Sequence, residues 1–296
     1  MTTTLAPERV EPAVQTTVRR AQPHSPVATV LLLIGAVYCL LPVAWVVIAS
    51  SKSGAELFST FTFSPSTHLF GNIADLTEYR GGLFWRWMAN TALYAGVGGL
   101  LSTAVSAAAG YGLAKYTFVG KQATFNVLLA GVLVPGVVLA VPQYLLMAKL
   151  GMTNTYWAVL LPSIISPYGI YLARIYAAAA VPDDLVEAAR TDGAGDFLIF
   201  RSIAVPLMAP GLVTVFLFQF VAIWNNFLLP YIMLGNDHLF PLTVGLSGLL
   251  NQGASQPSLY TSVVTGSLLS IIPLLALFLT LQRYWKVDLA AGAVKS

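Results

Sequence analysis

The densest charge in this chain lies at Asp183, Asp184, Glu187, Arg190, Asp192, Asp196 and Arg201, between two long apolar stretches. Within that run Glu187-Ala188-Ala189 is followed by Gly193 and then by Ile203-Ala204-Val205-Pro206. The chemistry these types suit is docking. Small side chains at 188 and 189 let a partner's backbone or aromatic ring come close. Pro182 fits the first turn of a helix, and Asp183, Asp184 and Glu187 suit its positive N-terminal end. Leu185, Ala188 and Ala189 make one short apolar face. Asp192-Gly193-Ala194-Gly195 supplies a break in which glycine takes a left-handed conformation. Asp196 is then expected to cap a second helix carrying Phe197, Phe200, Arg201 and Ile203, stopped by Pro206 and Pro210. An amphipathic linker lying on lipid headgroups would show the same features.

Enzymatic chemistry has little support. His24, His68 and His238 are scattered over tail and loops, with no HExxH or Cys/His metal spacing. There is no GxSxG elbow and no GxxxxGK[ST] phosphate loop, so the chain does not run on ATP through a P-loop. The single cysteine, Cys39, can form no intramolecular disulfide and has no companions for a metal site.

The elements that must position the charged loop are membrane spans. Hydrophobic residues make up 57% of the 296, charged residues 9%, and mean hydropathy is +0.75. A soluble chain carries about 25% charged residues. Six apolar segments approach the ~20 residues a bilayer core requires. They are 27–49, 89–114, 122–148, 155–175, 211–234 and 260–281, which predicts an all-α integral membrane protein with six transmembrane helices. The first is too long for a signal peptide and reads as a retained anchor. Residues 1–25 read as a flexible tail and 283–296 as a second one, flanking a domain over 26–282. All but Lys52, Arg80, Arg86 and Lys149 of the 15 basic residues fall on one side, which predicts cytoplasmic termini and a cytoplasmic 181–206 loop. Net charge is only +3 without clustering, so nothing suggests nucleic acid. No charged residue sits inside a span, which argues against proton-coupled transport. Gly98, Ser102, Ser106 and Gly110 form a small-residue packing stripe.

With its spacing intact, Glu187-Ala188-Ala189, Gly193 and Ile203-x-x-Pro206 resembles the EAA loop of ABC importer permeases, with Val205 where leucine is usual. Asn90-Thr91, Leu150 to Tyr156, Trp224-Asn225-Asn226-Phe227-Leu228, Gln282-Arg283-Tyr284 and Ala290 to Lys295 resemble the carbohydrate branch, on the side of the maltose permease's smaller subunit. The resemblance covers 27–296 and implies the type I ABC importer permease fold. It also implies a second homologous permease, two ATPase subunits that bind ATP and magnesium, and an extracytoplasmic solute-binding protein. No cofactor is expected in this chain. Glu187, Ala188, Ala189, Asp192, Gly193, Ile203 and Pro206 would form the ATPase-coupling helix, with Glu187 pairing to a basic residue of the ATPase and Gly193 allowing the turn. The tail 283–296 would reach between the ATPase subunits.

The remaining polar groups follow from that implication. Asn90, Gln143, Gln219, Asn225 and Asn226 are amides at depth that could exchange hydrogen bonds with sugar hydroxyls, and Trp224 could stack on a sugar ring; interhelical bonding explains each equally well. Asn251-Gln252-Gly253 would be the tip of a 235–259 loop entering the binding protein's cleft, or an ordinary solvated loop. Phe58, Phe61, Phe63 and Trp85 fit a docking platform or the bilayer interface. Permeases for glycerol phosphate, polyols or peptides, and a self-contained channel or secondary transporter, are the alternatives.

Overall fold

In hydrocarbon every backbone N–H and C=O must find a partner inside the protein, and a helix supplies one for nearly all of them. The computed structural model bears this out: it is helical, with no strand among the described residues, which are 25–293, with side chains to 284. The expected tail at 1–25 lies outside them except for Ser25, as do 294–296. The chain divides into two compact units, 1–44 and 45–296. The described part of the first is the greater part of α1 (Pro26–Ser50), which has Pro42 inside it.

The second unit takes in the last residues of α1, then α2 (Glu56–Ser59), α3 (Leu69–Glu78) and α4 (Leu83–Lys115). Then follow α5 (Lys121–Leu133), α6 (Gly136–Lys149), α7 (Tyr156–Ile164), α8 (Pro167–Ala180), α9 (Asp183–Thr191) and α10 (Asp196–Ile199). A π turn (Phe200–Ala204) leads into α11 (Val205–Trp224). Next come α12 (Leu228–Met233), a 3-10 turn (Asp237–Leu239), α13 (Leu242–Gln252) and α14 (Ser258–Ala293). Five helical runs are long and apolar enough to cross a membrane, and α5 with α6 makes a sixth if that bent pair is one span.

Four expectations need correction. The 122–148 segment is two helices bent by 105°. Pro135 is the reason, since its ring bars Val134 from helical backbone and Val134 sits extended at ψ 120. The 155–175 segment breaks at Ile165-Ser166 ahead of Pro167 and then runs on to Ala180. The span expected at 211–234 starts earlier and ends at Trp224. Pro206 and Pro210 do not stop the helix there: Pro206 sits in the first turn of α11, where no donor is needed, and Pro210 lies within it. The preceding π turn, in which the Val205 N–H reaches back to the Phe200 carbonyl, carries the helix into that position.

Lipid gives helices no hydrophobic reason to associate, so close contact and buried hydrogen bonds must hold them. Helix α4 packs chiefly on α8 and α11. Its small-residue stripe lies in those contacts, as expected. A Cβ at Gly110 would sit 2.6 Å from the Arg174 nitrogen and 2.7 Å from Ala173, and one at Gly98 would sit 3.1 Å from Ile223. Ser102 and Ser106 between them are fully buried.

The N-terminal end of α4 clasps the 3-10 turn. Asn90 donates to the His238 carbonyl (2.8 Å) and the Phe240 carbonyl (3.0 Å) and accepts from the Tyr156 hydroxyl (3.0 Å). Trp87 donates to the Asp237 carbonyl at 2.9 Å, Tyr94 to the Leu239 carbonyl at 3.0 Å, and Thr91 accepts from the Leu242 N–H at 2.7 Å. Arg80 pairs with Asp237 at 2.8 Å.

Candidate functional site

Helix α9 starts after extended Pro182 with Asp183 and Asp184 in its first turn and Arg190 in its last, matching the helix dipole at both ends. It closes in a Schellman motif: the Gly193 N–H bonds the Arg190 carbonyl at 3.0 Å and the Ala194 N–H bonds the Ala189 carbonyl at 2.9 Å. Gly193 has φ +84, the left-handed region the motif requires, and a Cβ there would meet nothing within 4 Å. The need for glycine at 193 is therefore conformational. Helix α10 begins at Asp196 after Gly195; the Asp196 carboxylate caps no N–H and instead takes Arg190 at 3.1 Å.

The two short helices are fastened to the span ends. Val186 and Ile199 are buried with Tyr111, Ala173, Ala177, Val181, Ala204 and Met208, and Ala189, Ala194 and Ile203 pack on that cluster. The expected apolar face of α9 is thereby rotated: Val186 and Ala189 turn inward, while Leu185 and Ala188 stay exposed. Lys115, only 7% exposed, holds Asp183 at 2.7 Å. Arg190 lies 5.5 Å over the Tyr116 ring. Donating a hydrogen bond to the Asp196 carboxylate raises the Arg190 pKa, and burial together with that carboxylate raises that of Tyr116. Sequence reasoning missed Lys115, Tyr111 and Tyr116 as anchors, although a lysine ending a span opposite two aspartates was a visible signal.

The outward surface carries Leu185, Glu187, Ala188, Asp192 and Gly193 from the first helix and its turn, with Phe197 (75% exposed) and Leu198 (55%) from the second. Glu187 makes no ion pair among the described residues. Ile203 is half-buried beneath this surface and Pro206 is exposed beside it. A partly acidic and partly apolar platform results, the kind of surface a docking partner could use.

The amides separate into three places. Gln143, Gln219 and Asn226 line a cavity of about 440 Å³ together with Ser163 and Ser166. It opens where two breaks meet, since Gly136 of the α5–α6 bend and Pro167 of the α7–α8 break both line it. Gln219 donates to the Ser166 Oγ at 2.9 Å, and the same oxygen caps α8 by accepting from Gly169 at 3.0 Å. Trp224 and Asn225 line a different cavity, of about 360 Å³, with Phe227, Thr243, Ser247 and Ser267. Asn90 lines neither, and its oxygen and both amide hydrogens are taken up by Tyr156, His238 and Phe240.

A family model described as the binding-protein-dependent transport system inner membrane component matches residues 100–286. This chain belongs to that family. Among its relatives, the arabinooligosaccharides transport system permease protein of Halalkalibacterium halodurans is 36% identical over 92% of this permease and 98% of its own length. The lactose transport system permease protein of Rhizobium radiobacter is 33% identical over 95% and 99% respectively. A bacterial ABC transporter involved in the import of the acidic polysaccharide alginate superposes with TM-score 0.75 at 25% identity, over 87% of this permease and 95% of that chain. The expected fold, that of a type I ABC importer permease, is the one observed.

At the opposite end of the permease the 235–259 segment is mostly not a loop. Leu242, Val244, Gly245 and Leu249 bury one face of α13, and Trp87 lies where a Cβ on Gly245 would go. Asn251 and Gln252 are the exposed last residues of that helix. Gly253 is no exposed tip but is buried under Tyr260, whose ring would lie 2.8 Å from a Cβ there. Helix α14 continues past the expected end of the last span, through Ala293.

Proposed function

We propose that this permease forms half of the path by which a sugar or sugar derivative is imported, and that the 183–204 platform couples it to a separate ATPase. The observation that carries the coupling is the platform itself. It presents Leu185, Glu187, Ala188, Phe197 and Leu198 outward while its own ion pairs and buried residues tie it to α4, α8 and α11. A push on such a unit moves the spans instead of bending a loop. The distribution of Lys and Arg supports cytoplasmic termini and a cytoplasmic platform, with α3 and α13 on the extracytoplasmic side. Partners on this reading are a homologous permease, two ATPase subunits and a solute-binding protein. ATP and magnesium belong to the ATPase.

The names of the relatives, which describe transport of arabinooligosaccharides and lactose, favour a carbohydrate over a peptide. The 440 Å³ cavity is the better candidate for the path. Gln143, Gln219, Ser163, Ser166 and Asn226 offer it neutral donors and acceptors of the kind sugar hydroxyls use. Reversing charge at Glu187 and adding it at Leu185, as Glu187→Arg with Leu185→Asp, should abolish co-purification of the ATPase while leaving the permease in the membrane. Unchanged co-purification would reject the platform as the coupling surface. Uptake without any ATPase would reject the importer reading in favour of a self-contained transporter.

A further inference from the structure

A third cavity, of about 220 Å³, lies at the end of the bundle opposite α9 and is lined by Ser53, Gly54, His68, Asn72, Asp75, Ser258, Thr261 and Ser262. Every side chain in that wall is polar. Several of its acceptors are free. Asn72 spends its amide hydrogens on the Ser50 and Lys52 carbonyls, both at 2.8 Å, which leaves its Oδ1 to accept. Asp75 makes no ion pair or side-chain hydrogen bond among the described residues, and neither do Ser258 and Ser262. The Thr261 Oγ1 is buried with no partner.

The one permanent charge in the wall is the Asp75 carboxylate. His68 faces Glu56, with Nδ1 3.3 Å from the carboxylate, and Asp75 stands alone. The nearest lysine, Lys52, is turned away, its ammonium held by the Phe61 carbonyl at 2.7 Å and the Thr62 carbonyl at 3.3 Å. Glu78 follows one helical turn after Asp75 on α3, which extends the negative stripe. The cavity is smaller than the ~300–1,000 Å³ of small-molecule sites and suits one long side chain. Exposed aromatic rings lie next in sequence to the lining residues: Phe58 (66%) sits edge-on to Tyr260, the neighbour of Thr261, and Phe70 (82%) falls between His68 and Asn72. A carboxylate acceptor in a polar pocket, with exposed aromatic rings on the same segments, is the anatomy of a protein interface that receives a cation.

We propose that this cavity receives a lysine or arginine side chain of the extracytoplasmic solute-binding protein, with Asp75 as its counter-charge and Asn72, Ser258 and Ser262 as further acceptors. The proposal rests on the orientation given under Proposed function. The test is the affinity of the solute-binding protein for the complete transporter in nanodiscs. Asp75→Asn should weaken docking about tenfold and Asp75→Lys more, with the difference shrinking at high salt. Ser262→Trp, which fills the cavity without touching charge, should weaken it comparably, whereas Glu78→Gln should change it less than about twofold. Wild-type docking by the Asp75 and Ser262 variants would overturn the proposal, and so would equal losses for Asp75→Asn and Glu78→Gln, which would mean a general field in place of a pocket. Failure of the unaltered transporter to bind a solute-binding protein would instead overturn the importer reading on which it rests.

Discussion

Replacing Gly193 tests the platform through backbone conformation alone. The residue has φ +84 and open space around it, so a side chain clashes with nothing and acts only on the backbone. A non-glycine residue held in the left-handed region costs about 1–2 kcal/mol, and a β-branched one more. Escape to an ordinary conformation would forfeit the bonds from Gly193 to Arg190 and from Ala194 to Ala189, at about 1 kcal/mol each. By either route Gly193→Val costs about 2 kcal/mol, which lowers the population of the wound platform by up to about thirty-fold. Asparagine tolerates this conformation better than alanine or valine. ATP-dependent uptake in proteoliposomes should therefore rank Gly, Asn, Ala, Val, with Val at a few per cent of wild type and membrane insertion unchanged. Wild-type uptake by Gly193→Val would refute the reasoning. So would an Asn variant as impaired as Val, because the defect would then follow the presence of a side chain and not its backbone preference.

Three further outcomes follow from the packing. Asn90→Ala should lower stability by about 2–3 kcal/mol, because two carbonyls and the Tyr156 hydroxyl lose a partner together; thermal unfolding in detergent would show it, with substrate preference unaltered. Gln219→Leu should cut sugar uptake about five- to tenfold at unchanged expression, while Asn225→Ala, which faces the other cavity, should change it less than about twofold; transport kinetics of the pair would measure this. Gly110→Val should prevent assembly, since its Cβ would press on backbone atoms of Ala173 and Arg174 at 2.6–2.7 Å, at a cost above about 3 kcal/mol; the yield of folded protein reports it.

The helical class, the approximate spans and the helix–turn–helix outline of the 181–206 loop were legible in the sequence because they depend on local signals. Apolar runs of spanning length, the Asp192-Gly193 break and the small-residue stripe are of that kind. Interactions between distant residues were not legible. Which face of α9 turns inward is decided by a cluster that includes Tyr111, far away in the chain on α4, so Val186 displaced Leu185. Prolines misled in both directions: Pro135 bends the α5–α6 pair, whereas Pro206 is absorbed in a first turn after a π turn. The amides looked equivalent as buried polar residues. Only the folded arrangement distinguishes Asn90, bound to a turn about 150 residues away, from Gln219, which faces a cavity.

Photo-crosslinking from the platform asks whether an ATPase subunit sits on it. Cys39 is the single cysteine, so Ala188→Cys in a Cys39→Ser background can carry a benzophenone at one chosen point. The complete transporter should yield a crosslink between position 188 and the ATPase subunit, with a yield that changes when ATP is added. Crosslinking to lipid alone, in a transporter that still takes up sugar at the expense of ATP, would contradict it.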